Sequence, residues 1–539
     1  MEHLKKWLEP EKLAQATPKA WKPGEEPKIA AGILELFHLL PAAASRFLVP
    51  LVKLVIDLET ALPPQGVFSE LCSPYRPPLT RFLNRYPTEA ISLFLSQLND
   101  RAMFRRFLSI LRGESGEVLR KEAMNSPFKL LGVGMGLGET EDAINAHLDD
   151  PAKPIWAKID HIQCLKLILV LAKLEPTWLA TQPLVMKALR ILWKSPRRKQ
   201  RLQQEEKLSL AELKESKRLI KCFLIYLRHN RKQTDLLFEM LSTFSIRSRI
   251  DFTFLKKFYT AEVQEYSADD KQVILRQFLS VFTAKSLPQM QLVYGLQLII
   301  IPMVEHISKL SESGEEVSQL VQKVFDQDSI KIIVEQVLDP PEQALNAYQD
   351  DLRAELLQLA TLLIQHVPNA LLPYRKELIK FGWNHLKRED YVGKQWAFVN
   401  IAHFLQAYQA PEKIILQVFV ALLRTCQPES RQLVRQALDV LTPALPIRMA
   451  QGEHRYPMWI RYTKKTLVEE GHSLPHLVHV WQLVVRHASL YYSSRAQFVP
   501  QMVNSLSRLG LAPNSPAENR RLALDLANLI IRWDEQRIM

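Results

Sequence analysis

The chain has 539 residues, 24% of them charged and 47% hydrophobic, an ordinary globular balance long enough for several domains or one extended array. Its formal net charge is +13, which favours acidic partners or nucleic acid. Cys72, Cys164, Cys222 and Cys426 lie far apart with no C-x-x-C pair, which argues against a disulfide framework or a zinc ribbon and for a reducing compartment.

In chain order, the first segment, Met1-Glu-His-Leu-Lys-Lys-Trp7, is charged and lacks a signal-peptide core. Trp21-Lys-Pro-Gly-Glu-Glu-Pro27 reads as a polar turn before the first long helix. Gly113 to Glu117 reads as a short turn. Leu131-Gly-Val-Gly-Met-Gly-Leu-Gly138 has alternating glycines that fit no phosphate-binding pattern, so a flexible connection between helices is expected. Lys194 to Glu206 reads as a charged loop or helix extension. Beyond it, Leu213, Ile220, Leu224 and Leu227 form one apolar helical stripe. The apolar stretch Leu292–Val304 is too short to span a bilayer and contains polar residues, so a soluble intracellular protein is expected. Gln291–Ile301 has a β-rich composition but sits inside a longer helical pattern, which predicts buried helix.

Near the C-terminus a helix is expected from about Pro500, closed by Gly510. For the last helix, Ser515 is the expected cap, Pro516 the first position and Glu518 the partner in a capping box. Its apolar stripe is Leu522, Leu526, Leu529, Ile530 and Trp533. The 33 prolines are spread along the chain, as helix punctuation would be.

A loose similarity recurs within the chain. Phe37-His-Leu-Leu-Pro41 leads to Phe47-Leu-Val-Pro50. Leu363-Ile-Gln-His-Val-Pro368 leads to Leu371-Leu-Pro373, and Val485-Arg-His-Ala488 to Phe498-Val-Pro500. Each reads as a helix end, a turn and a second helix with Pro near its start. Such pairs are HEAT-type repeats of roughly 40–47 residues, on the order of a dozen here. The expected fold is all-α: a HEAT-like α-solenoid of stacked antiparallel helix pairs over residues 1–539. The chain ends on a strong helix without a polar capping repeat, so a fragment of a longer protein is expected.

No motif in the chain assembles a catalytic constellation. H-E-x-x-H, G-x-S-x-G, H-R-D-L-x-x-x-N and D-F-G are all missing from the sequence. Asp326 and Asp328 lack calcium-loop companions. His476 and His479 lie three apart on a predicted helix near His472 and His487. Zinc would need further ligands and no Cys is near, so packed and solvated histidines are expected. No cofactor or metal is expected. The strongest candidate is basic. From Lys194 to Lys232 there are thirteen Lys or Arg against four Glu, a local excess of nine positive charges. Lys194, Arg197, Arg198, Lys199 and Arg201 suit an electrostatic contact or a nuclear-localisation patch, or equally a solvated connection between repeats. These five residues lack the interleaved aromatics of a single-strand stacking platform.

Arg455-Tyr-Pro-Met-Trp-Ile-Arg-Tyr-Thr-Lys-Lys465, the run from Ser473 to His487, Arg495-Ala-Gln-Phe-Val-Pro500 and Arg532-Trp-Asp-Glu-Gln-Arg537 resemble the helical-repeat region of the TRRAP family, the pseudokinase branch of the PI3-kinase-related kinases. Trp21–His38, Phe82–Ala90 and Phe104–Leu108 carry the same resemblance, which is weak around 195–215. It implies a very large nuclear scaffold in SAGA-type histone acetyltransferase complexes, without catalytic activity or a small-molecule substrate. It implies acetyltransferase-complex subunits and acidic transcriptional activators as partners, chromatin reached indirectly, and no membrane. Two alternatives are the repeat region of an active PI3-kinase-related kinase and a HEAT-type nuclear transport receptor.

Overall fold

Apolar residues at helical spacing leave each segment of this chain with an oily face that needs a neighbour. The computed structural model describes residues 26–40, 44–62, 73–137, 140–150, 160–195, 210–245, 250–311, 322–388, 390–449, 455–511 and 513–538. Among them all regular structure is helical, as expected for a HEAT-like α-solenoid. Two compact units are formed, Met1–Met240 with Ile246–Leu255, and Leu241–Ser245 with Lys256–Met539.

The first unit contains α1 (Glu26–Glu35), α2 (Ala44–Thr60), α3 (Arg76–Arg85), α4 (Pro87–Ser96), α5 (Arg101–Arg112), α6 (Glu117–Asn125), α7 (Pro127–Met135), α8 (Glu141–Asp149), α9 (Asp160–Leu174), α10 (Pro183–Lys194), α11 (Leu210–His229) and α12 (Thr234–Glu239). Alternate helices stack: α1 on α3, α4 on α6, α7 on α9 and α9 on α11.

In the second unit, α13 (Ala268–Thr283) precedes α14, which runs Gln289–Gly295, widens into a π turn at Leu296–Ile300 and continues as Ile301–Ser311. Then come α15 (Gln327–Ile332), α16 (Asp350–His366), α17 (Arg375–Leu386), α18 (Tyr391–Ala407), α19 (Glu412–Arg424), α20 (Arg431–Arg448), α21 (Met458–Glu470), α22 (Leu474–Arg486), α23 (Val499–Leu506) and α24 (Ala517–Ile538). Here α14, α16, α18, α20, α22 and α24 form one stack, and α19 packs on α21 beside it. Helix α18 is buried nearly all round, with Ala397, Phe398, Val399, Ile401, Ala402, Phe404 and Leu405 inside, together with the polar Gln395, Asn400 and His403. It is enclosed by α16, α17 and α20.

Proline punctuates the helices for a physical reason. Its missing N–H is free of cost in the first turn. Pro77, Pro87, Pro127, Pro183, Pro475 and Pro500 all sit there. Pro50 departs from the expected pattern: it lies inside α2, as Pro443 and Pro446 lie inside α20. Pro443 and Pro446 face outward on α20, while Leu441, Ala444 and Leu445 beside them are buried and hold the helix in the stack. In α14 the wide turn comes just before Pro302, whose ring would otherwise press on the carbonyl four residues back.

Several local expectations are corrected. The glycine-rich stretch is not a loose connection, because Gly132 and Gly134 are buried inside α7. Gly136 ends that helix with φ 69°. Leu137 N–H donates to Gly132 O at 2.8 Å and Gly136 N–H to Val133 O at 3.2 Å, a Schellman closure. Gly138 lies outside the described residues. The predicted capping box of α24 does not form. Ser515 Oγ donates to the Leu509 carbonyl, and Glu518 pairs with Arg431 and accepts from Gln482 at 3.1 Å. Gly510 does not close a helix in the left-handed region; it lies in a π turn, Ser507–Leu511, close against Ala523. The apolar stretch around residue 300 belongs to Gln289–Lys309, 21 residues, long and apolar enough to cross a membrane by length and composition alone. Here 61% of its apolar window is buried, because it is a core helix of the stack.

A charged cluster lies within the first unit. Glu59 of α2 is 1% exposed and pairs with Arg106 of α5 and, at 3.2 Å, with Arg76 of α3. Burial lowers the Arg106 guanidinium to about 10, still charged at neutral pH. Removing one buried partner strands the other, whereas replacing the pair by apolar groups is close to neutral. Glu59→Leu is therefore expected to destabilise the first unit by about 3 kcal/mol. Glu59→Leu with Arg106→Leu should recover most of that loss. A double-mutant cycle in thermal unfolding checks this.

Candidate functional site

Helices α9 and α11 lie side by side because each carries a broad apolar face. Cys164, Leu165, Leu167, Ile168 and Leu171 are buried on one, and Leu219, Ile220, Phe223, Leu224 and Leu227 on the other. These include the predicted stripe of α11, apart from the side chain of Leu213, which lies outside the described residues. Two polar links fix their alignment. His161 and Glu215, both buried, meet at 3.0 Å, and Arg218 Nη1 donates to Ile162 O at 3.0 Å.

The link through Glu215 has an electrostatic consequence. It turns an acidic residue of a basic helix inward, leaving Lys214, Lys217, Arg218 and Lys221 to line a groove. Arg112 from the end of α5 joins them, with Lys166 and Lys173 of α9. Leu169, Val170 and Leu174 form an apolar part of the lining, and the cavity is about 570 Å³. Lys166 Nζ sits 5.2 Å from the Phe104 ring centre, and Lys221 Nζ 5.3 Å from that of Phe254.

These cations repel one another. Burial lowers the Lys166 ammonium from its ordinary range, and Arg218, Arg112 and Lys214 lower it further. Burial does the same to Lys221, with Lys173 and Lys217 adding to it. For Arg218, burial outweighs the raising effect of Glu215. A groove that crowds cations over apolar side chains is built to receive an anion that also offers apolar surface.

Of the five basic residues singled out in the sequence, Lys194 ends α10 and pairs with Glu239 at 2.7 Å, so it does not line the groove. Arg197, Arg198, Lys199 and Arg201 lie outside the described residues. The sequence reading found the α11 cations as part of a run but missed Arg112, Lys166 and Lys173, which come from earlier helices. Lys166 and Lys173 stand seven apart on an otherwise apolar helix, a signal that was available.

The remaining candidates serve the fold. His479 Nε2–H donates to Leu422 O at 3.0 Å, and burial lowers its pKa so that it stays neutral at pH 7. His476 bonds Ser473 Oγ at 3.0 Å, His472 the Glu469 carbonyl at 3.0 Å, and His487 the Asp439 carboxylate at 3.0 Å. Asp326 caps α15 through Ser329 N–H at 2.8 Å. Burial pushes the Cys222 thiol up to about 12, so no thiolate forms there at neutral pH.

The lowered lysines have a measurable signature. The unfolded chain holds protons that folded Lys166 has released, so stability rises with pH between the lowered value and the ordinary 10.5. Lys166→Met should raise the unfolding midpoint at neutral pH and reduce that alkaline rise. Added salt should raise the wild-type midpoint more than the variant's. Scanning calorimetry across pH and salt checks all three.

The model of the Tra1 HEAT repeat ring region matches residues 1–539. The probable transcription-associated protein 1 of Dictyostelium discoideum is 36% identical over 545 residues, covering 100% of this chain and 11% of that protein. The transformation/transcription domain-associated protein of Homo sapiens is 32% identical over 572 residues, covering 100% of this chain and 14% of that protein. The SAGA complex/NuA4 acetyltransferase complex subunit TRA1 of Saccharomyces cerevisiae is 28% identical over 566 residues, covering 99% and 14%. The chain thus spans 11–14% of the length of these relatives. With the match extending over every residue and the stacked helix pairs accounting for it, the chain belongs to the Tra1 HEAT repeat ring family.

Proposed function

We propose that this chain is a stretch of a non-catalytic nuclear scaffold, a subunit of SAGA- and NuA4-type histone acetyltransferase complexes that docks transcriptional activators. The observation that carries the reading is the full-length match to a family whose yeast member is named as a subunit of both complexes. The groove of α5, α9 and α11 supports acidic activators as the docked partners. Its cations suit carboxylates, and Leu169, Val170 and Leu174 suit the apolar side chains between them. Charge complementarity of this kind raises encounter rates and sets register. The basic segment from Lys194 to Arg201 is a second candidate contact for acidic partners. Chromatin is reached through the other subunits of the complex.

Affinity purification of the tagged protein from nuclear extract, followed by mass spectrometry, tests the scaffold. Recovery of acetyltransferase subunits is expected; transport factors or kinase-signalling partners without acetyltransferases would overturn the reading. Activator docking is tested with two charge-reversal variants. Lys214→Glu with Lys221→Glu should weaken binding of an acidic activation-domain peptide by at least about tenfold, on the order of 1.4 kcal/mol. Reversal of Arg197, Arg198, Lys199 and Arg201 to Glu should weaken activator pull-down as well. Wild-type affinity in both variants would reject the assignment.

A further inference from the structure

The second unit carries a different basic groove, independent of the reading above. The segment Arg455-Tyr-Pro-Met-Trp-Ile-Arg-Tyr-Thr-Lys-Lys465 leads into α21. Pro457, in extended geometry at ψ 148°, starts the helix. Trp459, Thr463, Thr466 and Leu467 are buried. Trp459 is anchored edge-on against Tyr491 at 5.3 Å, and the Thr463 hydroxyl donates to the Trp459 carbonyl at 2.9 Å. Helical periodicity then turns Arg461, Lys464, Lys465 and Val468 outward. With Arg455, Tyr456 and Gln497 they line an open groove of about 550 Å³.

Three cations here meet neutral groups. Arg455 lies over the Tyr456 ring at 5.5 Å, Arg461 reaches the Met458 sulfur at 3.4 Å, and Lys464 Nζ donates to Gln497 Oε1 at 2.6 Å. A second cation–aromatic pair, Lys465 over Tyr462 at 5.7 Å, repeats along the segment. The carboxylate in the lining, Glu469, is held by Arg424 at 3.1 Å and Lys465 at 3.5 Å.

We propose that this groove binds single-stranded nucleic acid, with phosphates on Arg455, Arg461 and Lys464 and a base against Tyr456 and Val468. Cations interleaved with aromatic rings are the arrangement that holds unpaired bases, since every base has a face to stack. The groove differs from that of α9 and α11 in the features that matter. It offers an aromatic ring, Tyr456, in its lining, where the other groove sets only Leu169, Val170 and Leu174 beside its cations.

The test is fluorescence anisotropy of the full 539-residue chain with labelled oligo(dT) and oligo(U), over a salt series. Binding of one or both strands is expected. Arg461→Ala and Lys464→Ala should each reduce the logarithmic salt slope by about 0.7, one phosphate contact apiece. Tyr456→Ala should weaken binding about tenfold, whereas Tyr456→Phe keeps it, because stacking needs the ring and not the hydroxyl. Lys214→Glu with Lys221→Glu, in the other groove, should weaken strand binding less than Arg461→Ala with Lys464→Ala. The proposal is overturned by wild-type affinity in Tyr456→Ala or in the two cation variants. Equal binding of duplex, equal competition by an acidic peptide, or loss confined to the Lys214 and Lys221 variant would overturn it too. Should Tyr456→Ala unfold the chain, the Phe variant and the salt slopes still decide.

Discussion

No helix pair in this chain can bury both of its apolar faces by itself, and the rest of the structure follows from that constraint. Burying one Leu or Ile side chain is worth about 2 kcal/mol, and ordering the backbone around it costs an amount of the same order. A lone pair of helices exposes one face of each, so the balance closes only when the next pair covers it. Helix α18 shows the limit. It is covered by α16 on one side, α20 on the other and α17 beside them, so it is buried nearly all round, and a polar residue drawn in, such as Asn400, pairs with Thr361 of α16. The same constraint admits Pro50, Pro443 and Pro446 to helix interiors, since the buried residues beside them, such as Leu51, Val52, Leu441 and Leu445, hold the helices in place despite a missing hydrogen bond.

Stacking also decides where charge goes. Residues that end up between layers must be paired, as Glu59 is with Arg106 and Arg76, or His161 with Glu215. Residues on an open face need no partner. When an acidic residue is drawn inward to pair, its basic neighbours on the same helix lose their local compensation. Glu215 does this on α11, and a groove of cations results. In the second unit Glu469 is shared by Arg424 of the adjacent α19 and Lys465, while Arg461 meets the Met458 sulfur. The two cationic grooves of this chain are thus the outward remainder of core formation, not separate modules.

Such surfaces suit a scaffold. Fixed cations on rigid helices, with apolar or aromatic side chains beside them, attract an anionic segment early and orient it late. No proton transfer or nucleophile is required of them. The groups with the largest perturbations elsewhere, such as the buried thiol of Cys222 and the phenol of Tyr491, are held in their neutral forms by burial. They fill the core and do not act as reagents.

The sequence by itself determined the helical class, the pairing of helices and the punctuation by proline, because periodicity and first-turn chemistry are local properties. It also marked the basic run that holds Lys214, Lys217, Arg218 and Lys221. Other features were decided only by the tertiary structure. Ser515 and Glu518 have the spacing of a capping box, yet both side chains found partners outside it, Glu518 on a helix more than eighty residues earlier. Gly132 and Gly134 look like a loop in the sequence and became core helix, because α9 covers them. Arg112, Lys166 and Lys173 join the groove from helices that no local pattern connects to α11. A local pattern names the face that a residue occupies on its own helix. Which faces meet is set by long-range packing, and the chemistry of both grooves depends on those meetings.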